Sequence, residues 1–306
     1  MRKQSKKRAS EIAEAFSGQI DLAAGRRAFI QSVAFGVAGA AVLGAGGARA
    51  EEAQQRTVTD FDVLNFALNL EYLEAEFYQL AAFGRNLPSN LITGRGGNPG
   101  EVTGGRQVNF SNNATRSYAI EIANDELNHV RAIRGLLGNS AVARPTINLT
   151  DSFTAVAQAA NIIPSNGTFD AFANDRNFLL AAFVFEDVGV TAYLGGAPLI
   201  SNPDYLVAAA KILSVEGYHA GEIRTLLYNR GEFAAGLGIS NVRDRLDGDG
   251  DRDQFIGNSA TTNLIVADRN GVGFPRTPPQ VLNIVYGNPN KQPGGFFPNG
   301  ANGTFR

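Results

Sequence analysis

The sequence predicts an all-α protein, a four-helix bundle with long connections and an irregular C-terminal extension. Four stretches of about 25 residues carry apolar side chains at helical spacing, which is typical of amphipathic helices. The 306 residues are 44% apolar, enough for a sizeable core. The chain has no cysteine, which excludes disulfide scaffolds, thiolate metal sites and cysteine nucleophiles. Four amphipathic helices of this length are expected to bury their apolar faces against one another.

The first predicted helix has recognisable capping residues at its start and its end. Thr59 and Asp60 suit a helix start, and Gly84 suits its end. The long connection after the second helix includes a short helical candidate at 152–161. We therefore expect the bundle in residues 51–238. In residues 239–306 we expect an irregular extension, with a few short helices or strands, that packs on the bundle. The four long helices are predicted at 60–83, 112–137, 169–194 and 204–229.

The first fifty residues are predicted to be an export signal. A basic start is followed by Arg26, Arg27 and Phe29, then by a weakly apolar run and Ala48-Arg49-Ala50. The paired arginines resemble a twin-arginine signal, which implies the twin-arginine export machinery as a partner and a periplasmic or otherwise exported location. The alternative is a retained membrane anchor at 28–48. After cleavage we expect no membrane association, because no later apolar stretch is judged long enough to span a bilayer.

The charge distribution argues against a nucleic-acid partner. Residues 1–50 contain 8 basic and 3 acidic side chains. Residues 51–306 contain 19 basic and 26 acidic side chains, a net charge of −7. An acidic body repels phosphate backbones, so the sequence predicts no nucleic-acid binding.

Charged residues interrupt each apolar stripe. Their positions are Glu71 and Glu74 in the first stripe, Glu126 and His129 in the second, Glu186 in the third, and Glu216 and His219 in the fourth. A carboxylate buried alone costs several kcal/mol or becomes neutral. A pair of divalent metal ions is the simplest shared compensation. The alternative is a metal-free bundle with Glu–His pairs across the core.

The spacing of these residues repeats within the chain. Both histidines follow a glutamate by three positions, which places each pair on one helix face. Tyr78 follows Glu71 by seven residues, and Tyr193 follows Glu186 by seven. The order Glu…Tyr and then Glu-x-x-His therefore occurs twice. These tyrosines are expected either to hydrogen-bond a ligand carboxylate or simply to pack.

One Glu from each of two helices and Glu-x-x-His from each of two others is the pattern of di-metal carboxylate bundles. On this motif set the chain resembles the ferritin-like superfamily, alongside rubrerythrins, ferritins and manganese catalases. Residues 68–78 and 274–286 are similar to bacterial twin-arginine-exported ferritin-like proteins and plant desiccation-related proteins. The resemblance covers about residues 58–288 and implies a ferritin-like four-helix bundle.

The resemblance also implies a role for each site residue. Glu71 and Glu186 would be terminal ligands, Glu126 and Glu216 would bridge two metals, and His129 and His219 would be terminal imidazole ligands. Glu74 has no counterpart in the second half, where Gly189 occupies the matching place. Glu74 would be a further ligand or would contact one, as would Tyr78 and Tyr193.

A second acidic motif, in the tail, places Asp247, Asp249 and Asp251 at alternate positions, as calcium loops do. Position six of that loop is Arg252 rather than Gly, and position twelve is Asn258 rather than Glu. We therefore favour a solvated acidic turn over a calcium site.

The ligand set suits two Fe or Mn ions, and sequence does not distinguish them. The first functional hypothesis is a di-iron or di-manganese protein that acts on peroxide or dioxygen, as a catalase or oxidase does, in oxidative or desiccation stress. The alternative is a non-catalytic stress protein whose metals only stabilise the bundle. Mineral storage is disfavoured because the long loops would obstruct a cage. The catalytic residues and the oligomeric state stay open.

Overall fold

A computed structural model describes residues 57–248 and 253–306 of the chain. The residues from Thr59 to Arg306 form one compact unit. The predicted export signal at 1–50 lies outside the described residues. The helices are α1 (Asp60–Phe83), α2 (Ser89–Ile92), α3 (Asn113–Leu137), α4 (Asp151–Ala159), α5 (Asp175–Gly196), α6 (Pro203–Asn229), α7 (Phe233–Asp247) and α8 (Pro278–Tyr286).

Short connecting elements complete the structure. Two single-turn 3₁₀ helices, Gly138–Ser140 and Ala197–Leu199, follow α3 and α5. The strand β1 (Val102–Thr103) pairs in parallel with β2 (Ile147–Asn148) and ties the two long connections together. The fold is therefore predominantly helical, as the sequence predicts.

Side-chain caps fix where the long helices begin. Thr59 and Asp62 form a reciprocal capping box at the start of α1, and Gly84 ends this helix with a left-handed backbone at φ 67°. Asn112 and Asn202 accept hydrogen bonds from backbone N–H groups in the first turns of α3 and α6. The predicted limits of these three helices are correct to within one residue.

The predicted start of the third helix, residue 169, is six residues too early. Asn174 caps α5 by accepting from the backbone N–H of Asn177 at 3.0 Å. Before this cap, Asp170 binds the backbone N–H of Phe172 at 2.9 Å, which holds a turn. The apolar pattern continues through that turn, so periodicity alone does not reveal the break.

The four long helices are arranged as two hairpins. α1 packs along α3, α5 packs along α6, and the hairpins meet through α1 against α5 and α3 against α6. Most residues of α1 and α5 are buried, whereas α3 and α6 keep one exposed face each. The centre of the bundle therefore lies against two almost fully enclosed helices.

The C-terminal extension contains short helices, and the first of them crosses the predicted boundary of the bundle. α7 runs through residue 238, where the prediction places the start of irregular structure, and α8 follows at Pro278. The extension packs into the core, because the ring of Phe296 lies 4.8 Å from that of Phe185 on α5 and 4.9 Å from that of Phe153 on α4. Glycine-rich composition hides these elements, since their burial depends on contacts far apart in the chain.

A buried ion network also attaches the extension. Arg276 pairs with Asp247 at 2.6 Å and with Asp253 at 2.8 Å. Arg243 joins Asp253 to Asp187 on α5, at 2.6 and 2.8 Å. Arg224 also pairs with Asp187, at 2.7 Å. Each of the three arginines is at most 1% exposed. Opposite charges thus compensate one another without solvent.

This network changes the interpretation of the acidic tail motif. Asp247 is 3% exposed and binds Arg276, so a solvated turn is wrong for this residue. Arg276 supplies the positive charge that a cation would bring to Asp247. Asp249 and Asp251 lie outside the described residues.

One described segment could cross a membrane by length and hydropathy alone. It comprises residues Asp175–Leu199, and 83% of its most apolar window is buried inside the molecule. The expectation that no stretch after residue 50 is long and apolar enough is therefore wrong. The apolar character of this helix is explained by its enclosure in the core.

Candidate metal centre

The structure brings all six predicted ligand residues together at the middle of the bundle. α1 supplies Glu71, α3 supplies Glu126 and His129, α5 supplies Glu186, and α6 supplies Glu216 and His219. Each side chain is buried, with exposed fractions from 0% to 7%. The i, i+3 spacing on α3 and α6 turns each glutamate and its histidine toward the same space.

Four of these residues form the first half of the cluster. Nδ1 of His129 lies 3.2 Å from Oε2 of Glu71, and 3.5 Å from an oxygen of both Glu126 and Glu216. One ligand atom from each of the four residues lies within 4.8 Å of the others. This is a compact donor set of three carboxylates and one imidazole.

The second half is built around His219. Its Nδ1 lies 3.0 Å from Oε1 of Glu126 and 3.7 Å from Oε2 of Glu186. Glu126 therefore contacts both imidazoles, one through each oxygen. The two histidine rings are 6.1 Å apart between centroids, so Glu126 lies in the space between them.

The two tyrosines connect the halves in a crossed arrangement. The hydroxyl of Tyr78, on α1, donates to Oε1 of Glu186 on α5. The hydroxyl of Tyr193, on α5, donates to Oε1 of Glu71 on α1. Of the two interpretations open from sequence, the structure supports hydrogen bonding. Each bond leaves the other oxygen of its carboxylate directed at the cluster.

The arrangement leaves a set of buried donors and acceptors without hydrogen-bond partners. Eight such atoms belong to the six residues: Glu71 Oε2, both carboxylate oxygens of Glu126 and of Glu216, Glu186 Oε2, and Nδ1 of His129 and of His219. Unpaired buried polar atoms are rare and costly. Oxygen and imidazole donors around one space are a chemical fit for Fe, Mn or Zn.

The pKa shifts indicate that the cluster has too little positive charge. Burial raises the pKa of Glu71 to about 8, although His129 opposes the shift. Burial alone would lower the pKa of His219, but the nearby carboxylates of Asp125 and Glu126 outweigh it and raise the value to about 11. Burial also opposes ionisation of Glu126, yet the two histidines hold its pKa well below the usual range. The imidazoles thus act as the cations of the cluster.

Glu74 is a fifth buried carboxylate at this site. It is 5% exposed, and burial raises its pKa well above the usual range, with further upward effects from Glu216, Glu126 and Glu186. Two imidazoles cannot balance five carboxylates. A bound cation pair would supply the missing charge and reverse these shifts.

Gly189 lies opposite Glu74 and leaves room for it. A Cβ at this position would lie 2.3 Å from Oε2 of Glu216 and 3.3 Å from Oε1 of Glu74. The absence of a side chain therefore allows these two carboxylates to approach α5. This explains why the second half has glycine at the place that matches Glu74.

Asp125 is a site residue whose role the sequence does not decide. Its Oδ2 lies 3.2 Å from Nε2 of His219, and its side chain is 39% exposed. A carboxylate on the outer nitrogen of a histidine fixes the ring orientation and directs the other nitrogen inward. Within the described residues no carboxylate lies within 4 Å of Nε2 of His129, and Val215 occupies the place that matches Asp125.

Comparisons with known proteins give one family match and two similar proteins. A family model of the ferritin-like domain matches residues 59–229. The chain is 29% identical to the ferritin-like catalase Nec2 of Nesocodon mauritianus, over 80% of this chain and 84% of that protein. It is 33% identical to the desiccation-related protein PCC13-62 of Craterostigma plantagineum, over 73% of this chain and 76% of that protein. No solved structure gives a significant match.

Proposed function

This chain belongs to the ferritin-like domain family, and from that premise we propose that its cluster holds two iron or manganese ions and disproportionates hydrogen peroxide. The observation that carries the proposal is the group of eight buried donor and acceptor atoms without hydrogen-bond partners. These atoms come from four helices and surround one space. A metal-free core with satisfied Glu–His pairs would leave far fewer of them unpaired.

The contacts suggest a role for each residue. Glu126 reaches both imidazoles, which suits a carboxylate shared by two metals. Glu216 is its counterpart on α6. Glu71 with His129, and Glu186 with His219, would then complete one metal position each.

The substrate class follows from the redox chemistry that such a site allows. A bound pair of iron or manganese ions would supply the exchange of two electrons with peroxide. In disproportionation one hydrogen peroxide loses two electrons and two protons to become dioxygen, and a second accepts them to become two waters. This balance needs no other reductant. The similarity to a ferritin-like catalase supports this choice over an oxidase.

The protein's own contribution is to fix the ligands and keep the centre dry. Tyr78 and Tyr193 each hold one oxygen of a terminal carboxylate, so the other oxygen keeps its direction. Asp125 orients His219. The surrounding helices α1 and α5 exclude water, which strengthens electrostatic interactions at the site.

A second candidate function rests on the other relative. The chain is more nearly identical to a desiccation-related protein, at 33%, than to the catalase, at 29%. In this alternative the metals join four helices and stabilise the bundle without turnover. Metal that binds only the folded chain stabilises it by an amount that grows with the logarithm of metal concentration over Kd. Both functions require bound metal, so metal binding alone does not distinguish them.

Metal analysis with a peroxide assay distinguishes the candidates. We expect about two Fe or Mn per chain in the parent, fewer in Glu126→Gln, and an unchanged number in Glu121→Gln, an exposed residue of the same helix. Evolution of dioxygen from peroxide, lost in Glu126→Gln, supports the catalase. A metal-loaded parent without turnover supports the structural function, and a folded parent that binds no metal contradicts both.

The proposal includes export of the protein. Arg26, Arg27 and the following apolar run support a twin-arginine route to a periplasmic or other exported location. Disproportionation would suit that location because it needs no cytoplasmic reductant. Detection of the chain in the exported fraction, and its loss in Arg26→Lys/Arg27→Lys, is the test.

A further inference from the structure

Two different sides of the carboxylate cluster face two different environments. On the α3 and α6 side lie the histidines and Asp125, whose carboxylate is 39% exposed. On the opposite side, between α1 and α5, a small cavity ends at Glu74 and Gly189. The first side is polar and close to solvent, whereas the second is lined by apolar side chains.

The C-terminal extension closes this cavity. Leu70 and Leu73 from α1 and Val188 from α5 form one wall, and Ile284, Val285 and Phe296 form the other. Glu74 is its only ionisable lining residue. The free space accommodates a molecule about the size of water or dioxygen, and an apolar cavity of this kind binds small nonpolar molecules rather than ions.

Gly189 lines the cavity and also lies against the cluster. A Cβ here would stand 2.3 Å from Oε2 of Glu216. Without a side chain at this position, the cavity adjoins Glu216 across the backbone of Gly189, and Glu74 lines the cavity directly. The repeated pattern of site residues does not itself require glycine at position 189, since the matching position in α1 is occupied by Glu74.

A second apolar cavity lies along the same two helices. It shares Leu70 with the first cavity and runs along α1 and α5 past Tyr193. Its lining includes Ala67 and Ala197, which are only half-buried. Leu70 therefore lies between the two cavities.

We propose that the apolar cavity beside Glu74 and Gly189 is the compartment through which dioxygen, the small nonpolar product of the proposed reaction, leaves the cluster. The C-terminal extension supplies its outer wall and limits the size of what enters. That dioxygen is formed at the cluster rests on the proposed function, but the compartment itself does not. Ions, water and the polar molecule hydrogen peroxide would use the polar α3 and α6 side.

Xenon binding to the metal-free full-length protein tests the compartment without turnover. We expect xenon between Leu73 and Val285 in crystals of the parent under pressure. Val285→Phe should fill the space and exclude xenon. Val281→Phe is the matched control, because Val281 is a buried valine of α8 that does not line this cavity. It should leave xenon bound.

Turnover by the metal-loaded variants tests the route. We expect Val285→Phe to lower kcat for the evolution of dioxygen about tenfold at unchanged metal content, because it hinders release of the product, with Val281→Phe close to the parent. Leu73→Phe fills the space from the other wall and replaces Val285→Phe if that variant does not fold.

The outcomes separate this inference from the proposed function. No xenon in the parent, xenon retained in Val285→Phe, or unchanged kcat in a variant that excludes xenon would overturn the route. Xenon bound in the parent without any peroxide turnover would leave the compartment in place and contradict the catalase function.

Discussion

Asp125 affects the cluster through His219, although its own carboxylate does not face the space between the predicted ligand residues. It stands next to Glu126 in sequence, yet its carboxylate reaches His219 on the neighbouring helix. The matching position in the second half is Val215. The two halves, which look alike as Glu-x-x-His motifs, therefore differ in how firmly their imidazoles are held.

We expect Asp125→Asn to weaken binding at one of the two proposed metal positions by about 10- to 100-fold, because His219 loses the carboxylate that orients it. Titration against a competing chelator measures the two affinities. Glu121→Gln, an exposed carboxylate of the same helix, is the control. Equal weakening at both positions, or none, would contradict this role.

The crossed tyrosines lead to a stability prediction for the metal-free protein. Tyr78→Phe removes the hydroxyl that donates to Glu186, leaving a buried carboxylate oxygen unpaired. The expected loss in the free energy of unfolding is about 1–3 kcal/mol. Urea denaturation measures it, with Tyr118→Phe as a control because Tyr118 is 36% exposed. A loss equal to that of the control would show that Tyr78 only packs.

At the scale of the helix, Gly189 has a cost and a use. Glycine inside a helix is less stable than alanine, yet here it admits two carboxylates to the face of α5. Gly217 on α6 offers the contrast, since a Cβ there would meet nothing within 4 Å. The same substitution is therefore expected to have opposite effects in the two helices.

We expect Gly217→Ala to stabilise the protein by about 0.5–1 kcal/mol, through the better helix propensity of alanine. Gly189→Ala should lower both metal content and melting temperature, because its methyl group collides with Glu216. Metals per chain and thermal unfolding provide the measurements. If both variants are stabilised, the close approach at Gly189 is not required.

Sequence patterns predicted the helices well where capping and periodicity agree. α1, α3 and α6 begin at Asn or Thr caps that the sequence makes visible. The start of α5 was placed too early because apolar residues continue through the turn before Asn174. α7 was missed in part, because the Gly- and Asp-rich composition gives no local sign of its burial against the bundle.

The cluster was predictable because its signal is local and repeated. Buried carboxylates and two Glu-x-x-His motifs can be recognised from spacing alone. The partners of Tyr78, Tyr193 and Asp125 could not be assigned, since each reaches a helix distant in sequence. The cavity was unpredictable for the same reason, because its outer wall comes from Val285 and Phe296.

At the scale of the whole molecule, the extension is held by charge as well as by apolar contact. Arg276 is fully buried and pairs with both Asp247 and Asp253. Arg106 and Asp170 form a similar pair at the surface, with side chains 56% and 48% exposed. The two arginines offer a direct comparison of buried and exposed ion pairs.

We expect Arg276→Ala to reduce the free energy of unfolding by about 3–5 kcal/mol, since it removes a buried positive charge from two buried carboxylates. Arg106→Ala should cost no more than about 1 kcal/mol, because water and salt screen that pair. Urea denaturation compares them. Similar losses in the two variants would show that the buried network is not what attaches the extension.

The crossed hydrogen bonds of Tyr78 and Tyr193 also bear on how the two hairpins recognise each other. Neither hairpin contains both a terminal carboxylate and the hydroxyl that holds it. A hairpin produced alone, or paired in the wrong register, would have Glu71 or Glu186 without the tyrosine hydroxyl that holds it. Under the proposed function, metal uptake would then favour correct assembly, since only correctly paired hairpins could retain the ions.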